Sequence, residues 1–194
     1  LSNLLRIAES DEKIGLVQPV SSNISNLQQV NLDFNSIDEM EEKAEAYNVS
    51  DPAKWEQRLR LVINGNLIKK ETLYAIGWPY MDVGFFHDFA DDDMTFRVRR
   101  AGYKTILARD TWIHHNHDQV HMEYDNLEEH SRSLQIGREN FRNKYFGIDA
   151  WDDVKCFIPE YLSVLKPTDT EHNRILGIDV RCGTPILEIK NRLR

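Results

Sequence analysis

The sequence predicts an α/β fold, a partial sheet with flanking helices, on three observations. Short apolar runs of strand length alternate with segments whose apolar residues recur at helical spacing. Glycines follow several of the helical segments, where helices commonly end. With 194 residues, 41% of them hydrophobic, the chain is long enough for one domain with a substantial core.

The predicted elements follow one another with short connections. The first part is predicted to contain a helix over residues 1–9, a strand over 14–20, a polar loop over 21–31, a helix over 36–47 and a short helix from Ser50. The second part is predicted to contain strands over 60–64, 103–107 and 111–115, and helices over 70–76, 92–101 and 127–146. Ser36 and Glu39 form a capping box at the start of one helix.

Composition argues against several classes of protein. The net charge of −8 does not suit a general nucleic-acid binder, which usually carries a basic face. No apolar run approaches the roughly 20 residues that a membrane-spanning helix needs. The two cysteines, Cys156 and Cys182, give neither a disulfide framework nor a metal-binding spacing, which favours a cytoplasmic location.

Three adjacent aspartates open the predicted helix over 92–101. Acids in a first turn stabilise a helix through its dipole, and the spacing of Asp93 and Arg97 predicts a surface ion pair. The alternative is catalytic. If Asp91 is the N-cap, its carboxylate projects towards the edge of the sheet, and neighbouring carboxylates favour one that accepts a proton as a general base.

Other polar groups leave alternatives open. Asn64-Gly65-Asn66 either only breaks a strand or lets a ligand approach glycine while the amides bind sugar or phosphate oxygens. The histidine segment 114–121 contains His115, which would share a metal ion with His117 if the strand continued. The acidic helix 36–48 is either a solvated face or a partner-binding surface.

Taken in order along the chain, these motifs resemble the acceptor-side half of family 2 glycosyltransferases with the GT-A fold. Residues 82–94, DVGFFHDFADDDM, are similar to the family's D-E-x-F-F-x-x-x-E-D-x-D-L segment. Residues 96–104, FRVRRAGYK, match the segment that follows it almost letter for letter, and residues 110–115 resemble the closing segment with its histidine. Residues 64–79 and 14–23 resemble the segments that precede the acids.

The resemblance implies roles for individual residues. Asp91 falls on the acid that deprotonates the acceptor, and Asp92 is the substitute if Asp91 is not the base. Ala90 replaces the family's first acid, a departure that removes one hydrogen bond to the acceptor. His115 matches a histidine that helps to hold a divalent ion or the diphosphate. The substrate-binding residues implied are Asn64, Gly65, Asn66, Trp78, Asp93 and Arg97.

The same resemblance implies an inverting transfer of sugar from a nucleotide-sugar donor to a glycan or lipid-linked acceptor, with Mn²⁺ or Mg²⁺ as cofactor. The protein would then work in the cytoplasm, or at the inner face of the membrane, in polysaccharide synthesis. The donor-binding half of the family carries a D-x-D metal motif, and no such pair precedes Ile14. We therefore expect this chain alone not to bind a nucleotide sugar or a metal tightly. A non-enzymatic partner- or metal-binding module, built on segments 36–48 and 114–121, is the alternative.

Three regions are expected. Residues 1–125 would form the acceptor-side part of the GT-A domain, and residues 126–168 a helical extension. Residues 169–194 would begin with a linker. Residues 174–184, RILGIDVRCGT, weakly resemble the first strand and glycine loop of Rossmann-type methyltransferases, although Arg181 and Pro185 replace glycines of that loop. The alternative for this tail is a strand and a helix that dock locally.

Overall fold

A mixed α/β arrangement of seven helices and four strands makes up the residues that the computed structural model describes, which are 1–85, 88–116, 127–155, 174–178 and 184–192. The helices are α1 (Ser2–Ser10), α2 (Ile37–Tyr47), α3 (Lys70–Ile76), α4 (Ala90–Arg100), α5 (Leu127–Lys144), α6 (Ala150–Lys155) and α7 (Thr184–Arg192). The strands are β1 (Ile14–Ser21), β2 (Trp55–Gln57), β3 (Leu67–Ile68) and β4 (Lys104–Ile113).

The strands form one mixed sheet in the order β2-β4-β1-β3. The two central strands, β1 and β4, run parallel, and each edge strand is antiparallel to its neighbour. The α/β class with flanking helices is therefore confirmed. Among the described residues, no helix combines the length and the apolar character needed to cross a membrane.

Every residue of β1 is buried, because helices cover both faces of the sheet. On one face, Ile7 of α1 packs against Val17 and Ile106. On the other face, Met94 and Val98 of α4 pack against the strands. Helix α4 thus lies along the central strand pair and is held there by its apolar side.

Most of the helix predictions are confirmed. The predicted helices over 1–9, 36–47, 70–76, 92–101 and 127–146 correspond to α1, α2, α3, α4 and α5. Ser36 accepts a hydrogen bond from the backbone N–H of Glu39, as the capping box predicts. The short helix after Ser50 is a 3-10 turn over Pro52–Lys54, capped by Asp51. Helical spacing and caps are local properties, and the structure follows them closely.

The division of 103–115 into two strands is wrong. β4 is continuous, and its register against β1 shifts between Pro19, which lies opposite Ala108, and Val20, which lies opposite Trp112. Asp110, which lies within β4 between the two predicted strands, is fully buried. Its carboxylate accepts hydrogen bonds from the indole of Trp55 and the backbone of Asp51. This anchor also explains β2, which the sequence did not indicate.

The predicted strand over 60–64 is also wrong, because two buried glutamine side chains take the place of a neighbouring strand. The amide of Gln28 accepts from the backbone N–H of Val62 at 2.8 Å and donates to its carbonyl at 2.9 Å. Gln18 makes the equivalent pair with the backbone of Asn64, at 3.1 and 2.8 Å. The segment is extended, but its backbone polar groups are satisfied by side chains.

Helices α5 and α6 pack on the outer side of α4 through aromatic residues. Phe141 is buried among Phe85, Phe89 and Phe96. The ring of Phe89 is stacked on Trp151, with centroids 5.2 Å apart. The helical character predicted for 126–168 is therefore seen at 127–144 and 150–155, and these helices share a core with α4.

The tail is described in two short pieces. Residues 174–178 form no strand, contrary to the expectation for this segment, and the glycine loop at 179–183 lies outside the described residues, as do both cysteines. Helix α7 docks on α4, where Asn191 donates to the carbonyl of Arg99 at 3.0 Å and Glu188 lies 3.7 Å from the Arg99 guanidinium. The helix of the locally docked alternative is thus observed.

Candidate active site

The aspartate cluster lies inside the first turn of α4 and not at its cap. Phe89 is the N-cap, in a left-handed conformation with φ of 68° and no side-chain hydrogen bond to the helix. The prediction conditional on Asp91 as N-cap therefore does not hold. The buried ring of Phe89 packs in the aromatic cluster and fixes the start of the helix. Asp91, Asp92 and Asp93 therefore all lie within the helix.

Asp92 is buried and bound by arginine. Its carboxylate accepts hydrogen bonds from Nε and Nη2 of Arg60 at 2.5 and 3.2 Å. Arg60 belongs to the extended segment 60–64, so the bidentate pair ties that segment to α4. Both Asp92 oxygens are occupied by the protein, and the side chain is only 5% exposed.

Asp93 is almost fully buried and accepts three hydrogen bonds. Arg97 Nε donates to one oxygen at 2.9 Å, and Lys144 Nζ and the Tyr145 hydroxyl donate to the other at 2.6 and 2.5 Å. The predicted pair with Arg97 is confirmed, but it lies in the interior and not on the surface. Burial raises the pKa of Tyr145, and the bond to Asp93 raises it further, so the phenol remains a proton donor at neutral pH.

Arg97 is occupied by the protein on both ends of its guanidinium. Besides Asp93, it donates to the carbonyl of Pro79 at 2.8 Å and to that of Tyr80. The loop that carries Trp78 is thereby tied to α4. Trp78 itself is 84% exposed, with its ring edge-on to Tyr80 at 5.4 Å. Of these two candidate substrate ligands, Trp78 lies where a ligand could reach it.

The segment at Asn64 meets structural needs at two of its three positions. Asn64 Nδ2 donates to Ser21 Oγ at 2.9 Å, and Gln18 Nε2 donates to the Asn64 side-chain oxygen at 2.5 Å. Gly65 has φ of 62°, and a Cβ there would lie 2.6 Å from Ile113. The left-handed backbone therefore favours glycine, whether or not a ligand approaches, and any other side chain would also have to displace the end of the Ile113 side chain. Asn66 is half-buried, and its role as a substrate ligand stays a prediction.

The histidines close the end of β4 against the loop that follows β1. His115 Nδ1 lies 3.1 Å from the carbonyl of Asn23, and His114 Nδ1 lies 3.1 Å from Ser22 Oγ. His117 and His121 lie outside the described residues. Within the described ranges, no three His, Cys, Asp or Glu side chains come together as metal ligands would.

The acidic helix α2 packs on the sheet through Met40, Ala44 and Tyr47, which are only partly buried. The Tyr47 hydroxyl donates to the carbonyl of Arg109 at 2.8 Å. Its other side carries exposed acids such as Glu42 and Glu45. This is the arrangement of a surface helix with an exposed acidic face, and the choice between a solvated face and a partner-binding surface stays a prediction.

These groups meet at one edge of the sheet. Asn64, Ser22 and His115 lie where the parallel strands β1 and β4 end. Helix α4 precedes β4 with only a short turn and packs along it, so its first turn is at the same edge. The Arg60–Asp92 pair joins the two groups. Open α/β sheets bind ligands outside the carboxyl ends of their parallel strands.

Several residues that build this site gave no signal in the sequence. Arg60 reaches Asp92 across 32 positions, and Lys144 and Tyr145 reach Asp93 across 51 and 52. Only the chemistry of a buried acid, which requires cations and donors near it, predicts that such partners exist. It does not say which residues they are.

No protein-family model, curated protein or solved structure matches the chain. The functional assignment therefore depends on the ordered motifs and on the geometry of the site.

Proposed function

We propose that this chain is the acceptor-side part of a family 2 glycosyltransferase with the GT-A fold. The observation that carries the proposal is the shared location of the acid cluster, Asn64 and His115 at the carboxyl edge of the parallel strands β1 and β4. The collinear motifs between residues 64 and 115 support the same family.

Asp91 is the general base in this proposal. Asp92 and Asp93 are buried and each is bound by cations, so they stabilise the fold. Asp91 lies between the loop at Asp88 and these two acids, and it is half-buried. A carboxylate at that position accepts the proton of the acceptor hydroxyl while the hydroxyl oxygen attacks the anomeric carbon and the nucleoside diphosphate leaves. A single displacement of this kind inverts the anomeric centre.

The donor in this proposal is a nucleotide sugar, and the acceptor is a glycan or a lipid-linked glycan. A bound Mn²⁺ or Mg²⁺ ion would neutralise charge on the leaving diphosphate. The described residues do not by themselves fit a metal site, since no three His, Cys, Asp or Glu side chains come together among them, at His115 or elsewhere. No catalytic step is therefore assigned to the ion.

Substitution of Asp91 tests the proposal in the protein that contains the donor-binding part. Asp91→Asn removes the base but keeps the shape of the side chain, so sugar transfer is expected to fall by about 10²–10⁴-fold in a protein that circular dichroism shows to be folded. Transfer is measured with radiolabelled nucleotide sugars as donors. Asp92→Asn, the matched control, is expected to lower stability because Arg60 loses its partner. Full activity in both variants would refute the assignment of the base.

A further inference from the structure

A cleft lies between helix α5 and the chain that leads into α4. It has a volume of about 390 Å³. Gly137 lies at the floor of the cleft, in close contact with the loop before α4. A Cβ at this position would come within 2.9 Å of the carbonyl oxygen of Asp88. Along the same helix, Asn140 donates to the carbonyl of Gly84 at 2.9 Å and Lys144 to Asp82 at 2.6 Å. The walls are therefore held together along about two turns of α5.

The lining combines polar and apolar groups. The polar side chains are two carboxylates, a guanidinium and a hydroxyl, and the apolar ones are two aliphatic groups and an aromatic ring: Asp88, Glu129, Arg132, Ser133, Val83, Ile136 and Phe85. A pyranose ring has the complementary chemistry, since its hydroxyls both donate and accept hydrogen bonds and its C–H face is apolar. The volume is in the range of small-ligand sites.

The charge of the lining favours an uncharged ligand over an anionic one. The lining contains two carboxylates and one guanidinium, so a phosphate or a uronic acid would meet a net negative site. An uncharged sugar can instead bind each charged group as a hydrogen-bond partner, which is stronger than a bond between neutral groups.

The cleft is close in the chain to the candidate base. Asp88 is in its lining, and Asp91 follows three residues later in the first turn of α4. We propose that this cleft binds an uncharged sugar ring, the acceptor of the transfer proposed above. That the bound sugar is the acceptor rests on the proposed function, while the binding of a sugar rests on the cleft alone. Helix α5 then belongs to the active site through Arg132 and Ser133.

The test is an NMR titration of the 194-residue chain with methyl glycosides of glucose, galactose, mannose and N-acetylglucosamine. Glucuronate and inorganic phosphate serve as anionic comparisons. At least one neutral glycoside is expected to shift the amides of Gly84, Ser133 and Gly137. Arg132→Ala is expected to raise its Kd about fivefold, the effect of losing one hydrogen bond. Arg142→Ala, on the exposed side of the same helix, is the control and should leave the Kd unchanged.

The possible outcomes separate this inference from the proposed function. Three results would each refute the sugar site in the cleft. They are amide shifts with the anions alone, no amide shifts with any ligand, and an Arg132→Ala variant that binds the sugar as tightly as the wild type does. Sugar binding in the cleft together with full transfer by Asp91→Asn and Asp92→Asn would overturn the proposed function and leave the sugar site intact. In the whole protein, a raised acceptor KM for Arg132→Ala with unchanged kcat would support both.

Discussion

At the scale of single residues, three identical side chains in sequence meet three different environments. Asp92 is bound by one arginine from a distant segment, and Asp93 by two cations and a phenol, while Asp91 is half-buried. Helical geometry causes the difference, because successive residues point about 100° apart around the axis. The sequence predicts the acidic cluster, but it does not predict which acid the interior takes up.

The buried network around Asp93 provides a prediction about stability. Asp93→Asn keeps the shape but leaves Lys144 and Arg97 without their shared carboxylate, and breaking a buried pair of this kind costs about 3–5 kcal/mol. We expect a loss of about 3 kcal/mol in the free energy of unfolding, since Lys144 keeps its contact with Asp82. Urea denaturation followed by circular dichroism measures this. Glu42→Gln, which removes an exposed acid of α2, should change stability by less than about 0.5 kcal/mol. Equal stability of both variants would mean that the network does not hold α5 to α4.

At the scale of elements, sequence patterns predicted the helices well and the strands less well. Helical spacing, the Ser36 cap and the terminal glycines act within a few residues, so α1 to α5 could be predicted. Strand formation depends on a partner elsewhere in the chain. The apolar segment 60–64 has strand-like composition, but Gln18 and Gln28 occupy the places of its partners. β2 has only three residues and forms because Asp110 holds Trp55.

The glutamine pairing predicts a large effect for a substitution of one amide. Gln28→Leu leaves the backbone N–H and C=O of Val62 without their partners in a partly buried position, at about 1–3 kcal/mol for each unsatisfied group. We expect a loss of about 2–4 kcal/mol in the free energy of unfolding and faster hydrogen exchange at Val62. The neighbouring Gln29 is exposed, so Gln29→Leu is the matched control and should be nearly neutral. Wild-type exchange at Val62 in Gln28→Leu would contradict the pairing.

At the scale of the whole molecule, charged residues join elements that lie far apart in the chain. Lys104 at the start of β4 binds Asp11 after α1, and Lys144 at the end of α5 binds Asp82 in the loop before α4. The candidate site depends on such long-range pairs, above all on Arg60 with Asp92. Composition and motifs predicted the α/β class and the location of the acids. They could not predict the ion pairs between distant segments, because each partner is an ordinary surface-type residue in its own local sequence.

These two pairs predict how stability depends on pH. The side-chain hydrogen bonds from Lys104 and Lys144 hold the pKa values of Asp11 and Asp82 below their ordinary value of 3.8. A lowered folded-state pKa means that the stabilisation is fully present above the unfolded-state pKa and is lost as the pH falls through the folded-state pKa. Both pairs are partly exposed, so each is expected to contribute about 0.5–1 kcal/mol. The free energy of unfolding should therefore be level from pH 7 to 5 and fall from pH 5 to 2.5. Asp82→Asn should reduce that fall, whereas Ile37→Ala, an exposed apolar substitution, should leave it unchanged. If the free energy of unfolding of Asp82→Asn fell equally steeply, the ion pair between α5 and the loop before α4 would contribute nothing to acid sensitivity.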